Sequence, residues 1–127
     1  MSIFFVVIMM IFCHIVDDYY LQGWLASAKQ KKYWEENAPQ NLYKYDYIWA
    51  LIMHSFSWSF MIMLPIAIFR NFNVGLSFIY WLVFNTIIHA VVDDLKANKL
   101  KINLWQDQLS HMVQIAGTAT AFILNLV

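Results

Sequence analysis

The sequence predicts an all-α fold, a four-helix bundle integral to the membrane, in a single transmembrane domain spanning residues 1–127. Hydrophobic residues make up 61% of the chain and charged residues only 13%, and the mean hydropathy is +0.54. An average soluble domain has about 25% charged residues. Apolar segments close to the ~20 residues needed to cross the hydrocarbon core recur four times along the chain. These observations favour a membrane protein.

The first helix is predicted over about residues 3–22. The stretch Ile3–Val16 has the length of a secretory signal core, but no basic segment precedes it. Asp17 and Asp18 also stand where a small-residue cleavage site is expected. We therefore interpret this segment as a retained helix.

The other three spans follow from the same apolar pattern. The second is predicted over residues 47–69, with Pro65 expected to kink it or loosen its last turns. The third, residues 72–92, follows a tight turn at residues 70–73, and the fourth covers residues 107–127.

A polar and aromatic loop, residues 26–46, connects the first two spans. Its charged pattern from Lys29 to Glu36 predicts a short interfacial helix that ends before Pro39. With four spans, all seven lysines fall on one side of the membrane and Arg70 alone on the other. The positive-inside rule then places this loop in the cytoplasm and both termini outside.

The charge balance also bears on partners. The formal net charge is zero, so nothing in the composition indicates a nucleic-acid partner. Membrane lipids are the expected partners, and a homo-oligomer or a host membrane protein stays open.

Ionisable residues are concentrated in the predicted cytoplasmic half of the helices. They are costly inside a membrane, so they usually face a bundle interior and mark a functional site. Residues three or four positions apart share one helix face, which gives one polar stripe on each of three helices and a single histidine on the remaining one. We therefore predict one pocket formed by His14, Asp18, His54, His89, Asp93, Asp107 and His111.

Imidazole and carboxylate groups together are suited to a divalent metal. Zinc is the preferred prediction, and manganese and iron are alternatives. Helical bundles build metal sites from such inward-facing residues. Seven ligands exceed one tetrahedral site, so either two ions bind or some residues act as supporting groups and a general base. At the rim, Gln22, Lys96 and Gln108 are predicted to contact substrate or support the ligands.

Five further residues near these stripes are given ordinary structural interpretations. Cys13 is the only cysteine, which excludes an intrachain disulfide, and we assign it to packing. Trp58 and Trp81 are likewise interpreted as packing residues within the membrane. Asp17 and Asp94 are expected to be solvated boundary residues.

Three sequence blocks carry a family resemblance. His14-x-x-x-Asp18-x-x-Leu21-Gln22, His89-x-x-x-Asp93-x-x-Lys96 and Asp107-Gln108-x-x-His111 resemble a family of small bacterial and bacteriophage inner-membrane proteins of unknown function. The resemblance covers nearly the whole chain and implies a multi-pass, four-helix protein of the bacterial inner membrane. More distantly, the arrangement resembles membrane-bound metal-dependent hydrolases, a likeness of architecture alone.

The first functional hypothesis is a metal-dependent hydrolase acting on a lipid-like or phosphoester substrate at the cytoplasmic leaflet. Asp107 would be a ligand or the general base, and His54 a further ligand or an acid. The ligands would otherwise come from His14, Asp18, His89, Asp93 and His111.

The alternative hypothesis is a non-enzymatic protein. Such a protein would bind a host membrane partner, or would handle metal ions or protons. Transport is disfavoured because the predicted outer half of the helices is almost purely apolar.

Overall fold

The computed structural model describes residues 2–127 and is all-helical, as predicted. Between those residues there is no β-strand. A π-helical turn, Asp17–Leu21, continues the first helix, and a 3-10 turn, Asn41–Tyr43, precedes the fourth. The α-helices are α1 (Ile3–Val16), α2 (Leu25–Ala28), α3 (Lys31–Asn37), α4 (Asp46–Phe69), α5 (Leu76–Ala97) and α6 (Leu104–Ile123).

Three helical segments are long and apolar enough to cross a membrane: Ile3–Leu21, Asn41–Phe69 and Leu76–Ala97. Within residues 2–127, α6 does not join them although it has 20 residues. Its first two turns are too polar, because they include Asp107, His111 and three further polar side chains. The structure therefore provides three candidate spans, and the fourth stays a prediction.

Both ends of α5 differ from the predicted ones, and at its start the preceding turn is longer than expected. Asn71 and Phe72 have φ of 52° and 59°, a left-handed conformation that ends a helix. The turn therefore extends further and α5 begins at Leu76 instead of residue 72. At the other end of α5 the helix continues to Ala97, past the predicted residue 92.

The start of α6 is set by a capping box. The Asn103 side chain accepts a hydrogen bond from the Gln106 backbone N–H, and the Gln106 side chain accepts one from the Asn103 backbone N–H. This pattern satisfies two backbone donors that a helix start otherwise leaves free. The helix therefore begins at Leu104, three residues before the predicted position.

The loop between α1 and α4 contains the predicted short helix. This helix, α3, ends at Asn37, before Pro39, as expected. Lys31 pairs with Glu35 at 3.4 Å along its exposed face. Pro65 lies within α4, which continues to Phe69.

The apolar core lies among α1, α4, α5 and α6. It includes the side chains of Val6, Met10, Ile62, Met63, Ile66, Leu82, Ile115 and Phe122. Many large apolar side chains also point outward, among them Phe4, Phe12, Ile79, Tyr80 and Phe84. Because a soluble protein rarely exposes such extensive apolar surface, the outer faces of these helices suggest association with a membrane.

Candidate metal centre

The seven residues predicted to form a pocket are all buried. The four histidines are at most 1% exposed, and Asp18, Asp93 and Asp107 are 7%, 2% and 0% exposed. They come from the C-terminal part of the first helical segment, from α4, from the last turns of α5 and from the first turns of α6. The structure thus gathers side chains that are up to about a hundred positions apart in sequence.

The imidazoles of three histidines form the centre of this group. The Nε2 atoms of His54 and His89 lie 3.3 Å apart. The rings of His89 and His111 stack with their centroids 4.3 Å apart and an interplanar angle of 22°. Neither ring nitrogen of His111 has a hydrogen-bond partner among residues 2–127. A fully buried imidazole of this kind has a free lone pair.

Asp93 and Asp107 each accept a hydrogen bond from a lysine at one carboxylate oxygen, and the other oxygen of each lies near histidine nitrogens. Asp93 Oδ2 accepts a hydrogen bond from Lys29 Nζ at 2.5 Å, and its Oδ1 lies 3.6 Å from His111 Nε2. Asp107 Oδ2 accepts a hydrogen bond from Lys96 Nζ at 2.6 Å, and its Oδ1 lies 3.4 Å from the same Nε2 atom. Each lysine therefore orients a carboxylate so that its second oxygen faces the imidazoles.

Asp18 is linked to the same group through Gln108. Gln108 Nε2 donates hydrogen bonds to Asp18 Oδ2 at 2.9 Å and to Asp107 Oδ2 at 3.2 Å. The other oxygen of Asp18 lies 3.6 Å from His54 Nε2. Gln108 thus holds two carboxylates near each other.

His14 lies beside the central group with both of its nitrogens engaged. Trp58 Nε1 donates a hydrogen bond to His14 Nδ1 at 2.8 Å. Because an indole N–H can only donate, Nδ1 has no hydrogen and Nε2 must carry one. Nε2 then donates to Gln108 Oε1 at 3.2 Å. His14 consequently belongs to neither of the two metal-ligand groups described next.

Two groups of three residues have donor atoms close enough to share an ion. One comprises Asp18, His54 and His89, the other His89, Asp93 and His111, with all donor atoms in a group within 4.8 Å of one another. Ligands bound at about 2.0–2.2 Å in a tetrahedral site are about 3.3–3.5 Å apart. The shortest Nε2-to-ligand separations here, 3.3 to 3.7 Å, are close to that spacing. The donor set therefore fits a divalent ion.

The two groups share His89, whose Nε2 atom lies 3.3 Å from His54 Nε2 and 3.7 Å from Asp93 Oδ1. One imidazole nitrogen has one lone pair and can bind one ion. The groups are therefore alternatives for an ion held by His89, and together they do not form a two-ion site through that residue.

Asp17 differs from the position expected for it. Asp17 is 1% exposed and accepts a hydrogen bond from Ser57 Oγ at 2.6 Å, so its assignment as a solvated boundary residue was wrong. The π-helical turn widens the helix from residue 17 onward, and both neighbouring aspartates are buried within it. The side chain of Gln22 donates a hydrogen bond to the backbone carbonyl of Asp18, four residues earlier in the chain.

Trp58 and Lys29 contact the cluster, although the sequence did not predict either contact. Trp58 is fully buried, and its ring also stacks on His89 at 4.2 Å between centroids, so it supports the cluster besides packing. Lys29 belongs to the loop, and in the sequence it was counted with its neighbouring lysines as a charge that sets the membrane topology. Only the tertiary structure shows that it reaches Asp93.

An elongated groove passes beside the cluster between α1 and α6. Its volume is about 580 Å³ and most of its lining is apolar, including Ile11, Ile15 and Met112. The residues with polar groups in the lining include Tyr19, His14 and Gln108, and the last two contact the cluster.

A second buried polar network joins α5 to α6. Gln114 Nε2 donates to Asn85 Oδ1 at 2.9 Å, and Asn85 Nδ2 donates to Thr118 Oγ1 at 3.0 Å. Interhelical hydrogen bonds of this type hold apolar helices in one register.

No protein-family model matches the chain, and the comparisons with curated proteins and with solved structures likewise find no match. The class of the protein is therefore described from its fold and its buried cluster. It is an all-helical protein with three helices of membrane-spanning length and a buried histidine–aspartate cluster suited to a metal ion.

Proposed function

We propose that the protein is a metal-dependent hydrolase embedded as a four-helix bundle in the bacterial inner membrane, with one zinc ion at the buried cluster. The observation that carries the proposal is the arrangement of Asp93 and Asp107. Each gives one oxygen to a lysine and directs the other toward His111. Metal-ligating carboxylates are typically hydrogen-bonded in this way by supporting residues.

The preferred ligands are His89, Asp93 and His111. Asp93 Oδ1 faces two histidines and has no lysine partner, and His111 Nε2 has no hydrogen bond. A divalent ion would also offset negative charge, because the cluster contains three buried carboxylates and two of them pair with lysines. Buried charges without compensation are strongly unfavourable.

Two other residues of the cluster would transfer protons. The ion would supply a Lewis acid that polarises the ester or phosphoester and makes a water molecule more acidic. Asp107 Oδ1 has no hydrogen-bond partner and would accept the proton of the attacking water. His54 would donate a proton to the leaving oxygen. The water oxygen then bonds to the carbonyl carbon or phosphorus while the bond to that leaving oxygen breaks.

A lipid-like substrate is supported by the groove between α1 and α6. Its volume, about 580 Å³, lies in the range of ~300–1,000 Å³ found for small-molecule sites. An acyl chain would lie along Ile11, Ile15 and Met112, with the reactive group near Gln108. The lysine-rich loop favours the cytoplasmic leaflet, with both termini outside.

Metal analysis tests the proposal directly. Protein purified gently in detergent should contain about one zinc per chain by plasma mass spectrometry, and Asp93→Asn and His89→Gln should remove it. The matched control is Asp94→Asn, since Asp94 pairs with the exposed Lys99. Chelation should lower the unfolding temperature, and zinc or manganese should restore it.

Turnover separates a hydrolase from a metal-binding protein. A panel of fluorogenic esters and phosphoesters in mixed micelles should be hydrolysed by the zinc-loaded protein. Asp107→Asn and His54→Gln should keep the ion and lose about 10²–10⁴-fold in rate, the usual contribution of general acid–base catalysis.

A proton-handling protein is the second candidate. It is favoured by the direct contact of His54 and His89, which lies between Asp18 and Asp93. In that case the wild-type protein would hold no stoichiometric metal, and its stability would not respond to chelator or zinc. Both results together would reject the hydrolase proposal.

A further inference from the structure

A small cavity lies at the loop end of α4, where three tryptophan side chains meet. Its volume is about 310 Å³. The lining consists of Trp24, Trp34, Trp49, Asp46, Leu25, Ala50 and Met53. It includes none of the histidines and carboxylates of the metal centre.

Two of the indole rings are held by hydrogen bonds and by contacts with other aromatic rings, and Trp34 also stacks on Tyr43 with centroids 6.4 Å apart. Trp34 Nε1 donates to the carbonyl of Ala28 at 2.7 Å, and Trp24 Nε1 donates to the Tyr33 hydroxyl at 3.1 Å. The rings of Trp24 and Trp34 are close to perpendicular, at 80°, with centroids 6.0 Å apart. Since both N–H donors are already engaged, these two rings contribute aromatic surface to the cavity and no free hydrogen-bond donor.

Asp46 is the only ionisable residue in the lining. The chain has eight acidic residues, all within the described range. Seven of them have a side-chain hydrogen bond or an ion pair, namely Asp17, Asp18, Glu35, Glu36, Asp93, Asp94 and Asp107. Within residues 2–127, Asp46 has neither. The carboxylate without a partner is therefore the one that lies among three tryptophans.

We propose that this cavity binds an alkylammonium group, the headgroup amine of a zwitterionic phospholipid. Indole faces attract such cations through the negative face of the ring, and several rings surrounding one cation is the usual way to bind a quaternary ammonium. The carboxylate of Asp46 supplies the counter-charge. An anionic ligand would face both the π electrons and this carboxylate, so the chemistry selects a cation.

A lipid headgroup is the occupant that the location favours. Trp24 and Trp49 are 59% and 65% exposed. Trp24 follows Leu21, where one segment of membrane-spanning length ends, and Trp49 lies in the first turn of α4. Tryptophans at such ends lie at headgroup depth. The inference does not rest on the metal centre, because no residue of that centre lines the cavity.

Titration with tetramethylammonium chloride tests the cation site. The purified protein, in a non-ionic detergent, should show saturable binding by calorimetry, and potassium chloride at the same ionic strength should show none. Trp34→Leu and the nearly isosteric Asp46→Asn should each weaken binding roughly 2- to 30-fold, the range expected for one lost cation–π or ionic contact. Trp105→Leu is the matched control, since Trp105 is exposed and lies outside the cavity.

Lipid nanodiscs identify the source of the cation. In equal mixtures of phosphatidylcholine and phosphatidylglycerol, native mass spectrometry should find phosphatidylcholine retained preferentially by the wild type, and Asp46→Asn should abolish the preference. Retention without preference, combined with tetramethylammonium binding, would assign the site to a soluble amine and reject the lipid. Absence of saturable tetramethylammonium binding, or equal binding by both variants, would overturn the proposal.

Discussion

Three lysine–aspartate pairs of the same chemistry differ in burial, and replacing each lysine tests how much the cluster depends on its counter-charges. Lysine-to-methionine substitution keeps most of the aliphatic stem and removes the ammonium. The pairs are Lys29–Asp93, Lys96–Asp107 and Lys99–Asp94, with N-to-O distances of 2.5, 2.6 and 3.0 Å and lysine side-chain exposures of 12%, 37% and 54%.

The largest loss is expected for Lys29→Met. Breaking a buried pair by removing one partner costs about 3–5 kcal/mol, and the lower end applies because His54 and His111 still face Asp93. Lys99→Met should cost at most about 1 kcal/mol, as exposed pairs do. Lys96→Met should fall between them, at roughly 1–2 kcal/mol, because solvent screens the partly exposed ammonium.

Thermal unfolding of the detergent-solubilised variants measures these differences. One kcal/mol corresponds to roughly 3–5 °C for a chain of this length, so Lys29→Met should unfold about 10 °C earlier. Lys29→Arg serves as the charge-preserving control, and zinc should reduce the loss because the ion also offsets the charge of Asp93. Equal losses for Lys29→Met and Lys99→Met would refute the assignment of Lys29 to the buried cluster.

Two further substitutions test the contacts around the cluster. Trp58→Phe keeps an aromatic ring near His89 and removes the hydrogen-bond donor to His14 Nδ1. The free energy of unfolding should therefore fall by about 1–3 kcal/mol. An unchanged melting temperature would contradict that hydrogen bond. Asn85→Leu breaks the network with Gln114 and Thr118, and a loss of at least ~0.6 kcal/mol is expected in the same unfolding assay. The comparison variant is Thr86→Val, since the partly buried Thr86 bonds only within its own helix, and a neutral result for Asn85→Leu would argue against the network.

The helical class could be predicted from the sequence because it depends on apolar segment length and periodicity. The same periodicity brought His89 together with Asp93, and Asp107 together with His111, since residues four apart share a helix face. Burial of His54 among them also follows from the cost of a polar group in an apolar bundle. These are local or compositional properties, which a sequence shows directly.

The parts that could not be predicted depend on backbone irregularities and distant contacts. The π-helical turn at residues 17–21 has no simple sequence signature. Regular α-helical spacing, applied without that turn, predicts Asp17 on the outer face. The engagement of both His14 nitrogens depends on Trp58 and Gln108, which are 44 and 94 positions away. Spacing alone therefore could not separate a ligand from its neighbour.

The loop of residues 26–46 also has a larger role than its sequence indicated. Asn98, just after α5, accepts a hydrogen bond from the backbone N–H of Lys31 at 2.7 Å and donates one to the carbonyl of Lys29 at 3.1 Å. These two bonds fix the backbone on both sides of the segment from which Lys29 reaches Asp93. Because Trp34 donates to the carbonyl of Ala28, immediately before Lys29, the tryptophan cavity is held by the same segment. The loop therefore supplies one counter-charge of the buried cluster and one wall of the cavity, and both depend on its docking against the end of α5.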